Sequence, residues 1–208
     1  AAATRRSPSN DRRRNKRIQA NVVGLLAAAG TMTQWAAKTP QEAGAPPIDE
    51  VKAVAKGYAG QLKAMLQQQM RAAGPVSALG VCSDESARIG SDTARASGWS
   101  IRRVTDKARN PLDMPDAYES QVLAEFEKRL GGGEKEVARY EVVEEGGVRY
   151  ARFMKAIAVE GVCLTCHGSN EVAPDVAARI QTLYPHDRAM GYKLGDLRGA
   201  LSIKVRLD

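Results

Sequence analysis

The stretch GVCLTCHG, residues 161 to 168, constrains this chain most, because it brings together two of the three cysteines and one of the two histidines. Whatever chemistry claims those side chains dictates what the surrounding fold must hold. Cys163-x-x-Cys166-His167 is the attachment signature of c-type haem. Two thiols at that spacing can add to the two vinyl groups on one porphyrin edge. The adjacent imidazole can then offer a neutral nitrogen to iron, and its other ring nitrogen should donate to a nearby acceptor, which fixes the tautomer.

Two other chemistries compete for the motif. Structural zinc would accept Cys82, Cys163, Cys166 and one His as a tetrahedral Cys₃His set, although such sites usually bring their ligands as two tight pairs and Cys82 stands far upstream. A thiol–disulfide motif normally opens a helix after a strand in a βαβ unit. With Gly168 after the histidine and Pro174 soon after, no helix is expected to start at Cys163. If Cys163 and Cys166 become thioethers, Cys82 is left unpaired. Its two quiet roles are burial as a small apolar residue and coordination to iron.

Charge sets a further boundary. The net charge is +7, but the first twenty residues, AAATRRSPSNDRRRNKRIQA, hold seven Arg or Lys against one Asp. The rest of the chain is therefore almost neutral, with no electrostatic footprint for a polyanion, so nucleic acid is excluded as a partner. The basic start runs into the apolar VVGLLAAAG at Val22–Gly30 and then into small residues, the layout of an export signal. That run is about half of the roughly 20 residues a transmembrane span needs. A chain beginning at Ala1 with a second, Arg-led signal has the form of a bipartite leader to the thylakoid lumen of a chloroplast, with the bacterial periplasm as the alternative. Residues 1–47 are accordingly expected to be a targeting-like leader and linker, and 48–208 one haem domain.

Periodicity within 48–208 predicts an α+β domain with a mostly antiparallel sheet. Val51, Val54, Leu62, Met65, Leu66 and Met70 fall at three- and four-residue spacings, predicting a long first helix that ends at Gly74-Pro75. A second helix is expected over Ser83–Ala94, and a strand over Gly98–Thr105. A third helix should follow Asp113, with Pro115 in its first turn and Gly131–Gly133 ending it. VARYEVVEE and VRYARFMKAIAV around Gly146-Gly147 read as a hairpin. DVAARIQTLY reads as a short helix. GALSIKVRL reads as a closing strand with Leu201, Ile203, Val205 and Leu207 on one face. Asn110-Pro111 reads as a turn, Tyr184-Pro185 and Gly191–Gly199 as structural punctuation and, less readily, as lining of the haem edge, and Trp99 as a core residue.

The stretches VCSDESARI, IRRVTDKARNPLDMPDAYE, CLTCHG and YPHDRAMGYKLGDLRGALSI occur in one order across most of residues 76 to 206. In this they resemble a PAS-like c-type haem family of formerly unknown function. Its members include a cyanobacterial protein associated with photosystem II and the sensory domains of bacterial signalling proteins. The resemblance implies a PAS-like fold and one covalent haem c with His/Cys ligation. Cys163 and Cys166 would be its anchors, His167 the proximal ligand and Cys82 the distal ligand. His186 is the alternative distal ligand, and Met114, Met154 and Met190 are weaker ones. Arg103 and Arg109, in a cluster with Arg102 and Lys107, are candidates to grip the haem propionates.

Two function classes stay open. One is a redox module for low-potential electron transfer or redox sensing, with a photosystem, another membrane complex or a redox protein as partner. The other is an accessory subunit whose haem is mainly a folding staple. No Ser/His/Asp or paired-carboxylate constellation is present, so no catalytic residue is expected.

Overall fold

The computed structural model describes residues 44–208, so the leader and its apolar run lie outside the described residues. Helix α1 runs Ile48–Ala78, with Asp49 and Glu50 in its first turn, where acidic side chains suit the helix dipole. It is broken where the sequence predicts an end: Gly74 takes φ 76° and ψ 179°, ahead of Pro75. A π-helical turn, Val81–Glu85, leads into α2 at Ser86–Ser97, which Gly98 closes in the left-handed conformation. Strand β1 (Ser100–Val104) follows, then a 3-10 turn at Pro111–Asp113 and helix α3 (Ala117–Gly131).

The start of α3 departs from expectation. Its cap is Asp116, whose carboxylate accepts from Glu119 N while the Glu119 side chain accepts from Asp116 N, a reciprocal capping box. Asp113 instead closes the 3-10 turn, which Asn110 caps through Leu112 N at 3.0 Å. The hairpin forms as predicted, with β2 at Ala138–Glu145 and β3 at Val148–Ala158. Helix α4 spans Gly161–His167 and α5 spans Pro174–Leu183; β4 (Leu197–Arg206) ends the fold.

The sheet is antiparallel throughout, in the order β1-β4-β3-β2. Both of its faces are buried. On one, Val51, Ala55 and Tyr58 of α1 and Ile89 of α2 cover Ile101, Phe153, Leu201 and Ile203. On the other, Val122, Leu123 and Phe126 of α3 cover Val104, Met154 and Ala200. Leu201, Ile203 and Val205 do share a face, as the alternation predicts, but Ala200 and Ser202 on the opposite face are buried as well, under α3. Trp99 is half-buried at the margin of the first core. The result is the α+β fold expected from the sequence: an antiparallel sheet flanked by helices, with a long first helix. Among the described residues no helix is long and apolar enough to cross a membrane.

Candidate functional site

Helix α4 carries Cys163, Cys166 and His167 together, contrary to the expectation that no helix starts at the motif. Glu160 caps the helix despite the small residues that open it, and Glu160 N donates to Cys163 Sγ at 3.4 Å. Lys63 of α1 pairs with the Glu160 carboxylate at 2.8 Å, tying the motif to the long helix. The helical start does not revive the thiol–disulfide reading. The strands flanking α4, β3 and β4, are antiparallel neighbours, so no parallel βαβ unit forms. Burial pushes the Cys166 thiol pKa up, with Cys82 and Cys163 adding to the rise and Arg109 opposing it.

All three cysteines are free thiols, and each is partly buried. Cys163 packs with Val159, Ala189 and Tyr192, whereas Cys166 faces Leu79, Val176 and Ile180. Cys82 sits on the π-helical turn, near enough for its charge to act on Cys166. π-Helical turns recur at functional sites, where they displace one residue from the regular helical path. Among the described residues, no three His, Cys, Asp or Glu side chains gather as a metal-holding group, so the Cys₃His set that zinc needs is not assembled.

His167 ends α4 in a partly buried setting that holds its orientation. Its Nδ1 lies 2.7 Å from the Ala189 carbonyl. A carbonyl only accepts, so Nδ1 carries the proton and Nε2 keeps a lone pair. This is the backbone acceptor that the sequence reading asked for. The Tyr192 ring packs edge-on against the imidazole, with centroids 6.2 Å apart. Tyr192 N also donates to His167 O at 3.0 Å, and Gly191 N to Gly168 O at 3.1 Å, so the loop before β4 is laced to the end of α4. Burial, helped by the nearby Arg198 and Arg109 charges, lowers the His167 pKa to about 2. The imidazole is therefore neutral, the form that binds iron.

Around this histidine stand three arginines. Arg103 of β1 donates to the Cys82 carbonyl and lies 3.6 Å from Asp113. Arg109 bonds Cys166 O at 2.7 Å and Asp187 at 3.0 Å, bracing the motif against the loop after α5. Arg198, which the sequence reading did not single out, brings its Nε to 3.5 Å from His167 Nε2. The Nε atoms of Arg103 and Arg109 are buried without a hydrogen-bond partner. Buried donors of that kind are usually satisfied, and here they belong to the arginines that hold the Cys82 and Cys166 carbonyls around a neutral histidine. That donor set fits an anionic, iron-bearing group.

The remaining candidates are dispersed. His186 is exposed to solvent, one residue before the Asp187 that turns inward to Arg109. Met114 is 46% exposed, and Met154 is fully buried under α3. Met190 packs near Cys166, where its sulfur faces Arg109 at 3.4 Å. Two open clefts flank the turn that carries Cys82. One, of about 460 Å³, is lined by Tyr58, Ser86 and Arg103; the other, of about 510 Å³, by Gly80, Asp84 and Tyr184. Sequence reasoning missed Tyr192 and Arg198 because both lie in a glycine-marked stretch read mainly as punctuation.

Comparison with known proteins gives a consistent picture. The family model described as Tll0287-like matches residues 38–206. Among solved structures, the crystal structure of the cyanobacterial heme-protein Tll0287 is similar at 29% identity with a TM-score of 0.56, covering 79% of this chain and 98% of that one. No curated protein matches.

Proposed function

Because this chain belongs to the Tll0287-like family, we propose that it is a c-type haem protein acting as a low-potential, one-electron redox module. The observation that carries the reading is the state of His167. It is neutral, oriented through Nδ1 by Ala189 O, and turns its Nε2 lone pair toward Arg198, one turn of helix from Cys163 and beside Cys166, whose carbonyl Arg109 holds. Cys163 and Cys166 would hold the haem covalently, and His167 and Cys82, the latter on the π-helical turn, would be its protein ligands. Bound haem contributes a one-electron couple, which thiolate ligation shifts to low potential.

The chain's own groups hold the site. The bond from Arg103 to the Cys82 carbonyl orients the backbone of the π-helical turn. Arg109 ties the last turn of α4 to the Asp187 loop, fixing the height of His167. Leu79, Val176 and Ile180 keep water from the Cys166 side. Arg103 and Arg109 also keep one buried Nε donor each for an incoming carboxylate. The basic-then-apolar leader supports an exported compartment, the thylakoid lumen, where the module would serve a photosystem or another membrane complex, either as carrier or as redox reporter.

The ferric absorption spectrum of the Cys82→Ala chain, beside that of His186→Ala, tests the ligand assignment. Cys82→Ala should shift the spectrum away from thiolate ligation, and His186→Ala should leave it alone. The reverse pattern would make the haem bis-histidine and remove the basis for a thiolate-lowered potential.

A further inference from the structure

We infer that Arg198 is the residue that clamps a haem propionate, and that it reaches the carboxylate by leaving His167. The inference rests on the haem reading above and begins with the backbone. In the β3–β4 ladder Ile157 pairs with Gly199 and Ala158 pairs with Leu197, so Arg198 is an extra residue on β4. A bulge of this kind turns a side chain out of the strand's alternation, and bulges concentrate beside functional sites. Gly199 makes it possible. It takes φ 152° and lies so close to the Val104 carbonyl that a Cβ would collide with it.

The bulge aims Arg198 at His167 Nε2, at 3.5 Å, and lays the guanidinium over the Tyr192 ring at 5.5 Å. These are weak partners for a charge. Arg103 has Asp113 and Arg109 has Asp187, but among the described residues Arg198 makes no ion pair. Arg103 and Arg109 add positive charge around it, which Tyr192 and Asp113 oppose without forming an ion pair with it, and Lys107 lies 5.2 Å from the centroid of the same tyrosine ring. Burial lowers the Arg198 pKa, but a guanidinium does not give up its proton in a protein. A partly buried cation without an ion-pair partner gains from an anion that meets it.

The lone pair that Arg198 now faces is the one iron requires. Binding of the haem iron to Nε2 therefore displaces Arg198, and the same event brings two carboxylates into the site. A planar guanidinium can grip one of them through two parallel hydrogen bonds. Arg198 thus shields the ligand nitrogen before loading and neutralises a propionate afterwards. Arg103 and Arg109, each held by a carboxylate and a backbone carbonyl, stay in place.

The test uses the full haem-loaded chain with Arg198→Met, Arg198→Lys and, as a distant control, Arg206→Met. Resonance Raman spectroscopy of the propionate bending mode reads the contact, and a spectroelectrochemical titration reads the potential. Arg198→Met should shift the bending mode and favour ferric over ferrous haem by about tenfold, equivalent to 59 mV for one electron. Arg198→Lys should keep the ferric-to-ferrous ratio within about threefold of the parent while still moving the bending mode. Arg206→Met should change neither. An unmoved bending mode in Arg198→Met overturns the inference, whether or not the potential changes. If that variant does not accumulate, an unmoved mode in Arg198→Lys overturns it instead. A parent chain that carries no haem after expression with attachment machinery overturns the haem reading, and this inference with it.

Discussion

Glu119 and Arg152 form a buried charge cluster under α3, and replacing either alone should cost more than its share of the pair. The Arg152 side chain is 1% exposed and that of Glu119 3%. Glu119 accepts from Ser202 Oγ at 2.7 Å, Asp116 N at 2.9 Å and Arg102, and lies 3.5 Å from Arg152. Arg152 also pairs with Asp116 at 2.9 Å and with Glu145, and its guanidinium stacks on Tyr118 at 4.3 Å. Glu119→Leu strands the Ser202 hydroxyl and the Asp116 N–H and leaves Arg152 short of a carboxylate. Arg152→Met leaves Glu119 buried with only Arg102 as counter-charge. Each single change breaks a buried pair, for which about 3–5 kcal/mol is expected. At about 3 °C per kcal/mol for a domain of this size, that is a fall in Tm of roughly 10 °C. Replacing both with apolar side chains removes the stranded charge, so the double variant should lose about as much as one single change. Urea unfolding followed by far-UV circular dichroism measures all four chains, with an unchanged m-value confirming that the same surface is exposed. Single losses that simply add, within about 0.5 kcal/mol, would show that the cluster is not coupled and refute the reasoning.

Gly199→Ala should destabilise the chain by about 2–4 kcal/mol, because its Cβ would overlap the Val104 carbonyl and lie 2.9 Å from Thr105 Cβ, where the surrounding sheet cannot readily yield; a melting temperature within 2 °C of the parent would contradict it. Phe126→Ala should cost about 3–5 kcal/mol by opening the α3 core, since Phe126 is 0% exposed, and urea unfolding measures it. Acid should also weaken the fold through Asp116. Burial alone would raise this carboxyl's pKa, but the Glu119 N–H and the Arg152 guanidinium outweigh burial and hold it below the ordinary range. The resulting stability is complete above the unfolded value of about 3.9 and is lost as pH falls through the lower folded value. Asp116→Asn should therefore flatten the stability profile below about pH 4 in a series of unfolding curves.

What was legible in the sequence followed from strong local signals. The α1 periodicity and the Gly74-Pro75 break, the Gly146-Gly147 hairpin and the β4 alternation are each set by neighbours within a few residues. The helix at Cys163 was missed because its cap is Glu160, a residue that usually contributes to a helix start from the third position rather than the first. The third helix starts later than expected because Asp116, not Asp113, has Glu119 three residues downstream. Arg198 could not be found from spacing at all. Its position depends on a bulge between two strands forty residues apart, and only the ladder itself reveals the extra residue. Of the candidate site residues, Cys82, Cys166, His167, Arg103 and Arg109 converge, while His186 faces solvent.

On the proposed function, Cys163 and Cys166 should hold a haem covalently, with His167 on its iron. Acid–acetone extraction of the purified chain, followed by an intact mass and a visible spectrum of the polypeptide fraction, tests this. The colour should stay with the polypeptide and the mass should rise by one haem, and both should be lost in a Cys163→Ala, Cys166→Ala chain. Pigment that leaves entirely with the acetone, or a colourless chain holding one zinc, would contradict it.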